Sequence, residues 1–121
     1  MDDQRVWAFE ESLWTATPEH YQDSIDGENY LLVVPTHPHV LSGQAAIDAV
    51  KNTPRWSKVT LAEQKVSRPQ EGLIVVAYRI DAEKDGAAPY RAYCSSVYRR
   101  LEHEVWKVVQ HQQTPPLTAG S

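Results

Sequence analysis

Sulfur and basic charge are scarce in this chain. Among 121 residues there is one cysteine, Cys94, and one methionine. A lone cysteine excludes an internal disulfide framework. Twelve Lys and Arg stand against sixteen Asp and Glu, a formal net charge of −4. Phosphate binding needs a concentrated basic patch, so nucleic acid is not an expected partner. No apolar run approaches the roughly 20 residues of a membrane-spanning helix. The N-terminal "MDDQRVWAFEES" is acidic and helical in pattern, unlike a secretory signal. A reduced, cytoplasmic protein is the simplest expectation. Phenylalanine is also rare: one Phe accompanies four Trp and six Tyr. Such rings pack well but need partners for their N–H and O–H groups, which suggests a partly polar cavity or interface.

What is present suits a single domain with one core. Val6, Trp7, Phe9, Leu13 and Trp14 fall at helical spacing, with Glu10, Glu11 and Ser12 mostly off that stripe. Thr17-Pro18 reads as an N-cap with proline at the first helical position, opening a short second helix that stops at Asp26-Gly27. "NYLLVVP" is a short strand ended by Pro35. Ser42 is the expected N-cap of a third helix over "QAAIDAVKN". Four long strands follow, within 57–68, 73–82, 90–101 and 104–114, separated by turn material. Short connections predict an antiparallel meander. Helices segregated from strands mean an α+β fold. The domain is expected to span 1–116, with 117–121 as a mobile tail.

Two local patterns sharpen this. "LSGQAAIDAV" runs from a strand end through Ser-Gly into a helix, and "SSVYRRLEHEVWKVVQHQQTP" is a final hairpin whose last strand starts on Trp and ends polar. With the element order, they resemble the nuclear transport factor 2-like superfamily, which includes ketosteroid isomerase, SnoaL-like cyclases and the association domain of calmodulin-dependent kinase II. The resemblance covers nearly the whole chain. It implies a strongly bent antiparallel sheet wrapped round N-terminal helices, a cone with a pocket at its open end, and a homodimer formed through the sheet. It also implies where a ketosteroid isomerase-like base would stand: just before the proline that precedes Ser42-Gly43 at a fixed distance. That proline is Pro35, and the residue before it is Val34, which moves no proton.

The remaining candidates are weak in chemistry. His37 and His39 at i and i+2 lack the further ligands of a metal site. No metal or cofactor is expected. Centring the last turn on Glu102-His103 pairs Cys94 with His111, Ser96 with Val109, Ala92 with Gln113 and Tyr98 with Lys107. A Cys–His pair can in principle activate a thiolate, but a free Cys is more often a small buried residue. The polar "QHQQT" puts Gln113 and His111 on one face, and these two are the first candidates for a pocket lining. Tyr30, Trp56 and Tyr78 are the aromatic candidates. Asp26, Tyr30, His37 and His111 would be the acid–base suspects of an isomerase, dehydratase or cyclase. The leading expectation is a dimeric cavity protein for a small, partly apolar molecule. The alternatives are such an enzyme, or an assembly module whose pocket is incidental.

Overall fold

Helix α1 (Asp3–Thr15) opens on Asp2, whose side chain accepts a hydrogen bond from the Arg5 N–H at 2.9 Å. The computed structural model describes residues 1–117; most of the expected tail, 118–121, lies outside the described residues. Helix α2 (Pro18–Ser24) is capped by Thr17 and has Pro18 in its first turn, as its sequence predicts. A strand, β1 (Leu31–Val33), turns through "VPTHPH" into β2 (Val40–Ser42). The element order counts no separate strand here, because Pro35 and Pro38 look like a termination and three residues carry no alternation, although the Ser-Gly pattern implied a strand end at this point. Helix α3 (Gly43–Lys51) starts directly after Ser42, which stands at the N-cap position without a side-chain cap bond. The Ser-Gly pattern has a steric reason: a Cβ on Gly43 would lie 2.2 Å from the Gly27 carbonyl oxygen.

The second half is all strand: β3 (Lys58–Gln70), β4 (Leu73–Glu83), β5 (Tyr90–Glu102) and β6 (Val105–Thr114). These four pair antiparallel in sequence, as expected. The sheet order is β2-β1-β6-β5-β4-β3, and β1 lies parallel to β6. The sheet is therefore mixed rather than antiparallel throughout, since β1 reaches β6 from the helical half of the chain. Register breaks in β3, and again between β5 and β6, mark bulges that bend the sheet.

One face of the sheet is the core. Ile74, Val76, Tyr78, Ile80 and Ala82 of β4 pack there beside Ala92, Cys94, Ser96 and Tyr98 of β5. Val6, Leu13 and Trp14 of α1 complete the cluster. The opposite face is mixed in character. Arg79 and Arg91 bracket Asp81 there, at 3.2 and 2.5 Å, next to half-buried Leu73, Val75 and Val97.

The last hairpin corrects the expected register. The turn lies at His103-Glu104, so Glu102 pairs with Val105. Cys94 pairs with Gln113, not His111, and Ser96 pairs with His111, not Val109. Tyr98 faces Val108 rather than Lys107: the shifted turn alone would bring Val109, and Leu101, an extra residue in β5, takes one step back, until Val109, an extra residue in β6, restores the register. Inward positions on β6 thus run Trp106, Val108, His111.

Candidate functional site

Glu10 is the position that simple hydropathy misplaces. It lies on the same face of α1 as Val6, Leu13 and Trp14, and it is completely buried. A buried carboxylate is tolerated only when its lone pairs are satisfied. Here three inward hydroxyls of the sheet do this. Tyr78 donates to Oε2 at 2.5 Å, Ser96 donates to the same oxygen at 2.6 Å, and Tyr98 donates to Oε1. Trp14 Nε1–H in turn donates to the Tyr78 hydroxyl at 2.9 Å. His111 Nδ1 lies 2.6 Å from Ser96 Oγ and 3.5 Å from Glu10 Oε2. Burial is the largest influence on Glu10 and disfavours its charge. The hydrogen bond and charge of His111, with the Ser96 and Tyr78 hydroxyls, outweigh it and hold the carboxyl below its ordinary value. The same burial, followed by the neighbouring Glu10 charge, pushes Tyr78 and Tyr98 well up, so both remain donors.

The network reaches a cavity through His111. Tyr90 O–H donates to Gln113 Oε1 at 3.0 Å, and Gln113 Nε2 lies 3.3 Å from His111 Nε2. In this orientation Gln113 donates to Nε2 and His111 donates from Nδ1 to Ser96. If His111 also carries a proton on Nε2, a rotated Gln113 amide accepts it and donates to Tyr90. Either arrangement pairs Nε2 with the Gln113 amide.

That cavity has a volume of about 200 Å³. Its floor is His111 and Gln113 of β6 with Trp14 of α1, and its walls include Leu32, Tyr30 and Trp56. The segment 34–38 closes one side, with Val34 and His37 among its lining residues. Arg55 also lines it, its guanidinium 5.6 Å from the centre of the Tyr21 ring. Tyr21 and Tyr30 hydroxyls are 2.6 Å apart. A larger depression, about 460 Å³, lies outside the core beside Lys58, Asp81, Glu83 and Arg91. Its lining is solvated charge, and the interior cavity is the candidate site.

The sequence candidates distribute as follows. His111, Gln113, Tyr30 and Trp56 line the cavity, and Tyr78 lies behind it, on Glu10 and Trp14. Of the acid–base suspects, Tyr30, His37 and His111 line it, while Asp26 is turned away. Its carboxylate binds the Glu28 and Asn29 backbone N–H groups and meets Arg99 at 3.4 Å. The rings of His37 and His39 are 6.0 Å apart, and no cluster of three potential metal ligands exists among the described residues. Cys94 is buried, and burial followed by the Glu10 charge pushes its thiol up to about 12, which removes it as a nucleophile. The sequence reading did not find Glu10, Ser96, Tyr98 or Arg55. The inward alternation of Tyr78, Ser96 and Tyr98 was the available signal, since buried hydroxyls on facing positions demand a shared acceptor.

Solved structures share this architecture. An 18% identical nuclear transport factor 2-like protein from Cytophaga hutchinsonii superimposes with a TM-score of 0.76, covering 96% of this chain and 100% of its own. This chain has the nuclear transport factor 2-like fold. A candidate ketosteroid isomerase from Parabacteroides distasonis is 17% identical, with a TM-score of 0.78 over 92% of this chain and 85% of that one. The association domain of calmodulin-dependent kinase II from C. elegans is 15% identical, with a TM-score of 0.71 over 92% and 90%. No protein-family model and no curated protein matches the chain. Proteins of this fold therefore include candidate enzymes and assembly domains, and the fold alone selects neither. No helix of the structure is long and apolar enough to cross a membrane among the described residues.

Proposed function

We propose that the chain is a cavity protein that binds a small, partly apolar molecule between its helices and the concave sheet. The supporting observation is a cavity with aromatic and aliphatic walls and a convergent polar end, His111 and Gln113. At about 200 Å³ it suits a ligand smaller than a typical drug. Native mass spectrometry of the purified protein tests this directly. A bound small molecule lost on His111→Ala and Gln113→Ala supports the reading; a ligand retained by both removes these residues from the site.

The Ser96–His111 contact favours a second reading, general acid–base catalysis with His111 as the proton carrier. Glu10 and Ser96 fix the imidazole at Nδ1, which leaves Nε2 toward the cavity side. Ketosteroid isomerisation by the aspartate route is not part of this reading, because Val34 is an apolar wall of the cavity. A bell-shaped rate profile abolished by His111→Ala would support it.

Self-association through the outer sheet face is the third element. Leu73, Val75 and Val97 give that face an apolar strip, and exposed Tyr93 extends it. Sedimentation at micromolar concentration should find a homodimer that Val97→Glu converts to monomer. A wild-type monomer would refute it.

A further inference from the structure

The polar groups of the cavity lining are unbalanced in one direction. Among the described residues no aspartate or glutamate lines it, whereas Arg55, His37, His111 and Gln113 do. Arg55 is half-buried and makes no ion pair among the described residues. Its Nε donates to the Ala16 carbonyl at 2.8 Å, and one Nη donates to the Leu13 carbonyl. These are the last carbonyls of α1, where a cation is favoured. The second Nη has no partner among the described residues.

The tyrosine pair beside it also has a surplus donor. Tyr21 and Tyr30 carry two hydroxyl protons, and only one can lie between the two oxygens. The other finds no acceptor among the described residues. Both rings line the same cavity as Arg55. Burial pushes Tyr21 up to about 12, so the pair does not relieve itself by ionising. Gln113 supplies a third surplus, since its amide has two protons and one faces His111. The buried carboxylate of Glu10 is outside the lining and has its oxygens occupied by Tyr78, Ser96 and Tyr98.

We infer that the cavity takes an anionic ligand, a small carboxylic acid with an apolar body, its carboxylate received by Arg55 and the Tyr21–Tyr30 hydroxyl pair. The inference rests on the cavity reading and specifies its ligand class. A carboxylate offers only acceptors, which is what the surplus donors lack. The apolar body would lie along Leu32, Val34 and Trp56. A neutral amide of the same shape brings two N–H groups toward donors and loses the charge.

Titration calorimetry with hexanoate and benzoate, against hexanamide and benzamide, tests this on the intact chain. Each acid should bind at least about tenfold tighter than its amide, the scale of a charged hydrogen bond. The ratio should collapse toward one in Arg55→Met and fall severalfold in the Tyr21→Phe/Tyr30→Phe double variant, which keeps the guanidinium. The double variant keeps both rings, so it serves even if loss of Arg55 unfolds the α1 terminus. Amides that bind as tightly as acids overturn the anionic ligand while leaving the cavity reading intact. An acid preference undiminished in the double variant overturns the assignment of the carboxylate to this corner. Failure of all four compounds to bind the wild type overturns both readings for ligands of this size.

Discussion

Replacing Glu10 by Gln exchanges one oxygen for an NH₂ group in a fully buried part of the core. The carboxylate accepts from Tyr78 and Ser96 on one oxygen and from Tyr98 on the other. Glutamine can keep one oxygen toward Tyr78 and Ser96. Its NH₂ group then faces Tyr98, whose hydroxyl must rotate to accept. The bond to Tyr98 reverses, its own proton loses an acceptor, and the two remaining bonds lose their charge assistance. Hydrogen bonds to charged groups contribute about 1.5–3 kcal/mol each, so a net loss of about 2–4 kcal/mol is expected. That is a large share of a total stability of about 5–15 kcal/mol. Urea denaturation of the wild type and E10Q measures it. The difference should also depend on pH. The folded carboxyl lies below its ordinary value of 4.5, so its contribution is complete above that value and disappears as pH falls through the lower, folded value. The gap between wild type and E10Q should therefore narrow as pH falls through the folded value of the carboxyl. A second comparison separates charge from packing. Glu10→Met alone strands three hydroxyl donors, whereas Glu10→Met with Tyr78→Phe and Tyr98→Phe removes two of them and should recover part of the loss. Wild-type stability in E10Q, or a Glu10→Met variant as stable as the triple one, would refute the network as described.

Gly43→Ala should lower stability by about 1–3 kcal/mol, because the new Cβ meets the Gly27 carbonyl at 2.2 Å; an unchanged urea midpoint would contradict that approach. Cys94 should resist alkylation at pH 8 in the folded protein and react readily in urea, since it is buried with its thiol pushed up to about 12; fast native labelling would refute its burial. Zinc should give no thermal stabilisation that depends on His37 or His39, whose pair lacks a third ligand; a shift abolished by His37→Ala would reverse this.

The strands of the second half were legible because each alternates along its length and ends in turn residues such as Glu71-Gly72 and Asp85-Gly86. The first two helices were legible through their stripe and the Thr17-Pro18 start. What escaped depends on contacts distant in sequence. Glu10 reads as a solvated helix residue until three hydroxyls from β4 and β5, 68 to 88 positions later, are brought over it. The parallel pairing of β1 with β6 joins strands of which one is only three residues long, and no local pattern encodes it. The polar end of β6 was expected to face a pocket; His111 and Gln113 line the cavity, with other cross-strand partners than expected. Moving the turn by one residue displaces each partner by two, which preserves the face, and the bulges are not visible in hydropathy. Arg55, next to Pro54 in a loop, carries no local signal, since its partners are the carbonyls at the end of α1, 39 and 42 positions earlier.

The bulge at Val109 makes the length of one strand a determinant of chemistry. Inward side chains step by two along β6 as far as Val108, then by three to His111. Deleting Val109 itself leaves Val108, Gln110 and His111 in plain alternation, so His111 and Gln113 keep their face and the ladder loses only its bulge. Deleting a residue beyond it, such as Gln112, removes no extra residue, and with the pairing kept Gln113 turns to the outer face while His111 stays. Where a length change falls relative to the bulge therefore decides whether it is absorbed or reverses the side chains that follow, and a homologous protein can bring a different set of groups to its interior without any change of fold.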